Sequence, residues 1–334
     1  MIVYLDWNIF DRVQKIDSLE ESEKLIYQSI LNSIKDKNIY VPYSNAHISD
    51  LMRGYNKNPD YIEGDLNILS ELTNNLCIVQ YWGNKESTWH YRDVNEFFQS
   101  SLNEVNLYYK SFRELIPTIE EHKDLTNSIG DTIEATLRLT PLPDNFKSIY
   151  AVDPIFNLIY PKSRIENNCL ALADDLLSFS RLINTDDSLY KALKKYVNQT
   201  RMRFIKDKGL QKVFKSIGDA TTSIPAHLIF DESWEQYIPE SKSSKNKAYN
   251  KITDEYFKFD MKGYKSDEKF ENMIDDSLHT FYGAHCEVFV TRDDKCHYKA
   301  TEVYKKLKIP TQVMKPDEFV DWFNQNILKR EPVS

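Results

Sequence analysis

Five aspartates stand where elements begin or end. Asp6 closes the apolar run MIVYL, Asp50 lies early in a helix opened by Ser44, Asp276 lies in IDDSLH, and Asp293 and Asp294 follow EVFVTR. Carboxylates gathered within a few ångströms repel one another, so a folded cluster needs protons or hard cations. Oxygen ligands of this kind suit Mg2+ or Mn2+, as one ion or two. Such ions activate a water and steady the leaving oxygen of a phosphodiester. Taken singly, each Asp has the plainer role of a helix cap or turn residue.

Other polar residues could support such a cluster. Asn8 and Thr291 flank acids at strand ends and could hydrogen-bond to them. His47 and His279 lie three residues from Asp50 and Asp276 and so share a helical face with them. A histidine on a packed face is more often a core residue than a ligand. Asp275 competes with Asp276, and Asp294 with Asp293, for the role of ligand. A separate stretch, Ser188 to Ser216, holds nine lysines and arginines against the single acid Asp207, in a chain of net charge −8. Within it Lys194, Lys195, Arg201, Arg203, Lys206 and Lys208 interleave with Tyr190, Tyr196 and Phe204. Cations for phosphates and rings for bases are what single-stranded nucleic acid requires; a solvated helix with its rings in the core is the plainer alternative.

The elements that must place these residues follow from periodicity. MIVYL reads as a buried strand, Glu20 to Lys35 as an amphipathic helix with Leu25, Ile26, Ile30, Leu31 and Ile34 inward, and Asn38 to Pro42 as a strand. Ser44 caps the helix carrying His47 and Asp50; a helix over 61–75 and a strand over Leu76 to Tyr81 follow. Segments 92–115, 118–138, 164–183 and 187–216 carry helical periodicity with few strand-like runs. The α/β texture returns with a helix within 268–285, opened by Asp275 and Asp276. Strand Glu287 to Thr291, a helix over 297–307, strand Pro310 to Met314 and a helix from Pro316 complete it. The expected architecture is α/β, a parallel-sheet α/β/α core built from both chain ends with a large, mostly helical insertion. The core takes residues 1–83 and 267–334, the insertion residues 84–266.

At 41% hydrophobic residues the 334-residue chain has ample core. No apolar run approaches the roughly 18 residues of a membrane span, and MIVYLDWNIF lacks the basic start of a signal peptide. Cys77, Cys169, Cys286 and Cys296 form neither a disulfide framework nor a CxxC pair, which points to reduced thiols and the cytoplasm. The sequence accommodates a homo-oligomer or a protein partner.

Together these motifs resemble the PIN domain, a metal-dependent nuclease fold. MIVYLDWN resembles its opening strand with the first acid, Asp6, and Asn8 nearby. SNAHISDL resembles the helix bearing the second acid, here Asp50 where the family more often has Glu. IDDSLHTFYGAHCEVFVTRDDKC resembles the third and fourth motifs, and KATEVYKKLKIPTQVMKPDEF the closing helix, strand and helix start. The resemblance covers about 85 N-terminal and 65 C-terminal residues. It implies catalytic and metal-binding roles for Asp6, Asp50, Asp276 and Asp293, preferring Asp276 because it heads D-S-L-H and Asp293 because it follows T-R. It further implies a Mg2+- or Mn2+-dependent endonuclease acting on RNA rather than DNA. The alternative is a catalytically inactive PIN-like module whose helical insertion binds a protein or RNA partner.

Overall fold

The structure is a computed structural model; it describes residues 1–35, 38–81, 86–105, 111–116, 122–148, 151, 154–206 and 247–326. These form two compact units. One holds the described residues of Met1–Glu104, Phe214–Asp267 and Glu271–Ser334, the other those of Val105–Val213 and Glu268–Phe270.

In the first unit β1 (Val3–Leu5) is buried on both faces and passes at Asp6 into α1 (Trp7–Gln14). The next helix, α2 (Glu21–Ile34), buries Tyr27, Ile30 and Ile34 at helical spacing, while Leu25 of the expected stripe is exposed. The strand expected over Asn38 to Pro42 is only a parallel bridge between Ile2 and Tyr40, and the paired strand, β2 (Tyr43–Ser44), lies beyond it. Pro42 has no N–H to give a ladder, so pairing resumes after it. Then come α3 (Asn45–Lys57) and α4 (Ile62–Thr73), the latter ended by Asn74 and Asn75 in the left-handed region. They lead to β3 (Leu76–Val79), β4 (Thr88–Tyr91) and α5 (Val94–Val105). Sequence periodicity had not indicated β4, a short edge strand antiparallel to β3.

The second unit is largely helical, with α6 (Lys123–Leu139), α7 (Ile155–Ile159), α8 (Ser163–Glu166), α9 (Cys169–Thr185) and α10 (Asp187–Lys206). Buried Asp175 of α9 accepts from the backbone N–H groups of Lys162 and Ser163 at 3.0 and 2.7 Å, tying down the start of α8.

The chain then contributes α11 (Lys247–Met261), α12 (Phe270–Gly283), β5 (Val288–Val290), α13 (Asp294–Leu307), β6 (Gln312–Met314) and α14 (Pro316–Asn326). Because α12 begins at Phe270, Asp275 and Asp276 sit in its second turn and do not open it. Strands from both chain ends pair in parallel, β1 with β5 (Leu5 opposite Val290) and β5 with β6 (Val290 opposite Met314). A second sheet, β2-β3-β4, is joined to the first by the Ile2–Tyr40 bridge. The fold is therefore α/β with a parallel sheet built from both ends and a largely helical middle. Its core gathers Val3, Leu5, Phe10, Ile30, Val288, Val290 and Phe319. No helix among the described residues is long and apolar enough to cross a membrane.

Candidate metal centre

The register of β1 against β5 places Asp6 beside Thr291, with the Asp6 N–H donating to Val290 O at 2.9 Å. Asp6 is buried and stands at the N-cap of α1, yet its side chain makes no cap bond. Asn8 Nδ2 and Thr291 Oγ1 each donate to Asp6 Oδ2 at 2.6 Å. Asp6 Oδ1 is left facing His279 Nε2 at 3.7 Å. Asn8 also accepts from the Arg292 N–H at 3.0 Å, which fixes the start of the loop after β5.

Asp50 arrives on α3, whose N-cap Ser44 accepts from the Ala46 N–H while His47 completes the capping box. His279 Nε2 donates to Asp50 Oδ2 at 2.8 Å, and Arg53, one turn along α3, holds Asp50 Oδ1. Arg53 reaches Asp275 Oδ2 at 2.7 Å, and Ser49 Oγ donates to Asp275 Oδ1 at 3.0 Å. Asp275 thus faces the contact between α3 and α12. Asp6, Asp50 and His279 form a group that could hold a metal ion, each offering an atom within 4.8 Å of the others.

Asp276 and Asp293 lie outside this tight group but within electrostatic reach of Asp6. Tyr256 of α11 donates to Asp276 Oδ2 at 3.1 Å. Asp293 is the N-cap of α13 and accepts from the Lys295 and Cys296 N–H groups at 2.7 and 2.8 Å. Asp294 is exposed and pairs with Lys315 at 2.6 Å.

Charge balance follows from this geometry. Burial raises the Asp6 carboxyl above its usual range, reinforced by Asp50 and Asp293 and opposed by His279 and Thr291. Burial together with Asp267, Asp6 and Asp293 raises Asp276 further. Burial alone would raise Asp50 too, but the His279 hydrogen bond and charge and the Arg53 guanidinium outweigh it and lower it. His279 is itself buried, which favours the neutral ring; Asp6 and Asp50 overcome that and lift it to about 9. The two acids thus favour a protonated His279 between them, while burial works against the charge of Asp6. His47, 4.9 Å away ring to ring, is the opposite case, held neutral by burial and lowered to about 3. Its Nε2 donates to Leu5 O at 2.7 Å and its Nδ1 accepts from the Ser44 N–H at 3.0 Å.

Four residues that sequence reasoning did not single out complete the centre. Tyr4 Oη lies 3.0 Å from His279 Nδ1 and 2.7 Å from Ser44 Oγ. Arg53 was legible only as a cation one turn from Asp50. Lys299 is fully buried, pairs with Asp260 at 2.9 Å and with Asp267, and sits over the Tyr256 ring at 4.5 Å. It backs the Tyr256 that holds Asp276.

In the second unit the basic segment begins on α10. Lys194 lies over the ring of Tyr190, which is buried against Phe270, and Tyr196 packs on Phe156. Lys191 pairs with Glu268 at 3.3 Å, and Lys195 is exposed. The side chains of Arg201, Arg203 and Lys206 lie outside those described, and Lys208 lies outside the described residues.

Compared with protein-family models, curated proteins and solved structures, the chain matches none of them.

Proposed function

We propose that the chain is a PIN-like endonuclease that hydrolyses phosphodiester bonds with Mg2+ or Mn2+ and prefers single-stranded RNA to DNA. The observation that carries this reading is the meeting of Asp6, Asp50 and His279 at the C-terminal end of β1, with Asp276 and Asp293 in reach. In open α/β sheets that end of the strands is where ligands bind. The donor set fits a divalent ion: Asp6 Oδ1 is directed away from its two hydrogen-bond donors, and Asp50 and His279 converge on it. A cation held there would polarise a water and a phosphodiester oxygen. Asn8 and Thr291 orient Asp6, Arg53 orients Asp50, Tyr256 orients Asp276, and the N-terminus of α13 orients Asp293. The cations of α10 would recruit the polyanion. With Tyr190 and Tyr196 packed inward, that part of the segment offers charge and not stacking faces. The four cysteines are free, in keeping with a reducing compartment, which we take to be the cytoplasm.

A second reading rests on a specific observation: Asp50 is already paired with the Arg53 guanidinium and hydrogen-bonded by His279 without any metal ion. It describes an inactive PIN-like module whose helical middle binds a protein or RNA partner. Incubating labelled single-stranded RNA and DNA with Mn2+, with and without chelator, separates the two. Cleavage of RNA that is lost with chelator and in Asp6→Asn is the expected result. Folded protein that leaves both substrates intact with Mn2+ would overturn the nuclease reading.

A further inference from the structure

We propose that His279 is a direct nitrogen ligand in this centre, and that the centre therefore selects a divalent transition ion over Mg2+. This rests on the metal-dependent reading above and narrows it to a class of ion. His279 Nε2 is the atom shared by the two carboxylates, 2.8 Å from Asp50 Oδ2 and 3.7 Å from Asp6 Oδ1. A cation drawn to both acids meets that nitrogen first and takes the place of its proton. The ring has no other place to go. It is 1% exposed, packs edge-on to His47 at 4.9 Å, and tilts against the Tyr4 ring at 5.8 Å.

Its other nitrogen is arranged as a ligating histidine requires. Nδ1 lies 3.0 Å from Tyr4 Oη, and Tyr4 is held in turn by Ser44 Oγ at 2.7 Å. An oxygen on the second ring nitrogen fixes the tautomer and aims the first at the metal. His47 provides the contrast within the same cluster: its Nε2 donates to Leu5 O and its Nδ1 accepts from the Ser44 N–H at 3.0 Å, with the Tyr4 hydroxyl farther off at 3.4 Å, so it is a packing residue. Imidazole suits first-row transition ions, with affinity rising from Mn2+ to Co2+, whereas Mg2+ prefers oxygen and retains its waters. A purely carboxylate centre would show this bias more weakly and would give no nitrogen coupling to a bound Mn2+.

The test is metal binding to the metal-free protein, with no substrate present. Calorimetric titration should show Co2+ and Mn2+ binding more tightly than Mg2+. Pulsed electron paramagnetic resonance of the Mn2+ complex should show nitrogen coupling that disappears in His279→Gln. Tyr4→Phe removes only the hydroxyl and should weaken Mn2+ binding by about 10- to 100-fold while changing Mg2+ binding less. If His279→Gln does not fold, the wild-type spectrum and Tyr4→Phe still decide. Bound Mn2+ without nitrogen coupling, or equal affinity for Mg2+ and Mn2+, overturns the inference and leaves an all-oxygen nuclease centre standing. Folded protein that binds none of the three ions overturns both.

Discussion

Asp6 and Asp293 both stand at helix N-caps beside neighbouring parallel strands, yet only Asp293 caps. Asp293 gives an oxygen to two backbone N–H groups, so Asp293→Ala should cost about 1 kcal/mol of stability, and Asp293→Asn much less because the acceptor stays. The Asp6 carboxylate is held by Asn8 and Thr291, an arrangement that points it and does nothing for its helix. Asp6→Asn and Asp276→Asn should therefore abolish metal-dependent cleavage with the fold intact. Asp294→Asn, altering an exposed partner of Lys315, should retain it. Asp275→Asn removes a charge that burial disfavours but keeps an oxygen for Arg53, so it should change stability by less than about 1 kcal/mol. Cleavage rates and urea midpoints of the five Asn variants and of Asp293→Ala check this; full activity in Asp276→Asn would remove that acid from the site. The positions of Asp6 and Asp293 were legible because strand ends are where a chain leaves its sheet, and short apolar runs mark strand ends; Asp50 and Asp276, inside helices, were singled out by the resemblance. Tyr4, Arg53 and Tyr256 were not, because their roles depend on side-chain direction between elements far apart in sequence.

Elements show the same division between local and distant information. The runs that became β1, β3 and β5 were legible because a strand buried on both faces is a short apolar word between turns. The sequence of β4, Thr88–Tyr91, alternates in exposure on a sheet edge, and its polar and aromatic letters carry no such signal. The join of α11, α12 and α13 was invisible for another reason. It depends on Lys299, whose fully buried ammonium lies between Asp260 of α11 and Asp267, three residues before the start of α12. Asp260 also accepts from the Asp267 N–H at 2.7 Å, so the turn between the helices is built around this cation. A lysine in an amphipathic pattern is normally assigned to solvent. Lys299→Met keeps the volume but strands two buried carboxylates, and should destabilise by about 3–5 kcal/mol. The same change at Lys15, an exposed partner of Asp11, should cost less than about 1 kcal/mol. Urea denaturation of both variants is the comparison; equal midpoints would mean the buried pair contributes nothing net. Because Tyr256 lies beneath the Lys299 ammonium and holds Asp276, the Lys299 variant should also lose cleavage under conditions where it stays folded.

At the scale of the whole chain, a sheet completed only when both ends meet makes the titrations of the centre a property of global folding. His279 joins an acidic pair contributed by β1 and α3, and no such pair exists in the unfolded chain. Its folded value, about 9, lies above the ordinary 6.5, so its contribution is fully present below pH 6.5 and is lost as pH rises toward 9. His47, lowered to about 3, has the opposite sign, its contribution being present above 6.5 and lost as pH falls below it. Burial lowers His285 and His297 in the same direction as His47. Asp275, raised by burial to about 6, offsets part of the His47 slope between its ordinary 3.8 and 6. His279 contributes a slope of at most about 1.4 kcal/mol per pH unit to the alkaline limb, alongside Asp276 and the thiols of Cys77, Cys286 and Cys296, which burial raises and which therefore act in the same direction. Chelator-treated protein should be more stable to urea at about pH 6.5 than at about pH 9, and His279→Gln should flatten that difference. A divalent ion that displaces the Nε2 proton should flatten it as well, since the folded state then has no proton there to lose. An alkaline limb that survives both His279→Gln and saturating metal would assign the loss of stability to groups outside the centre.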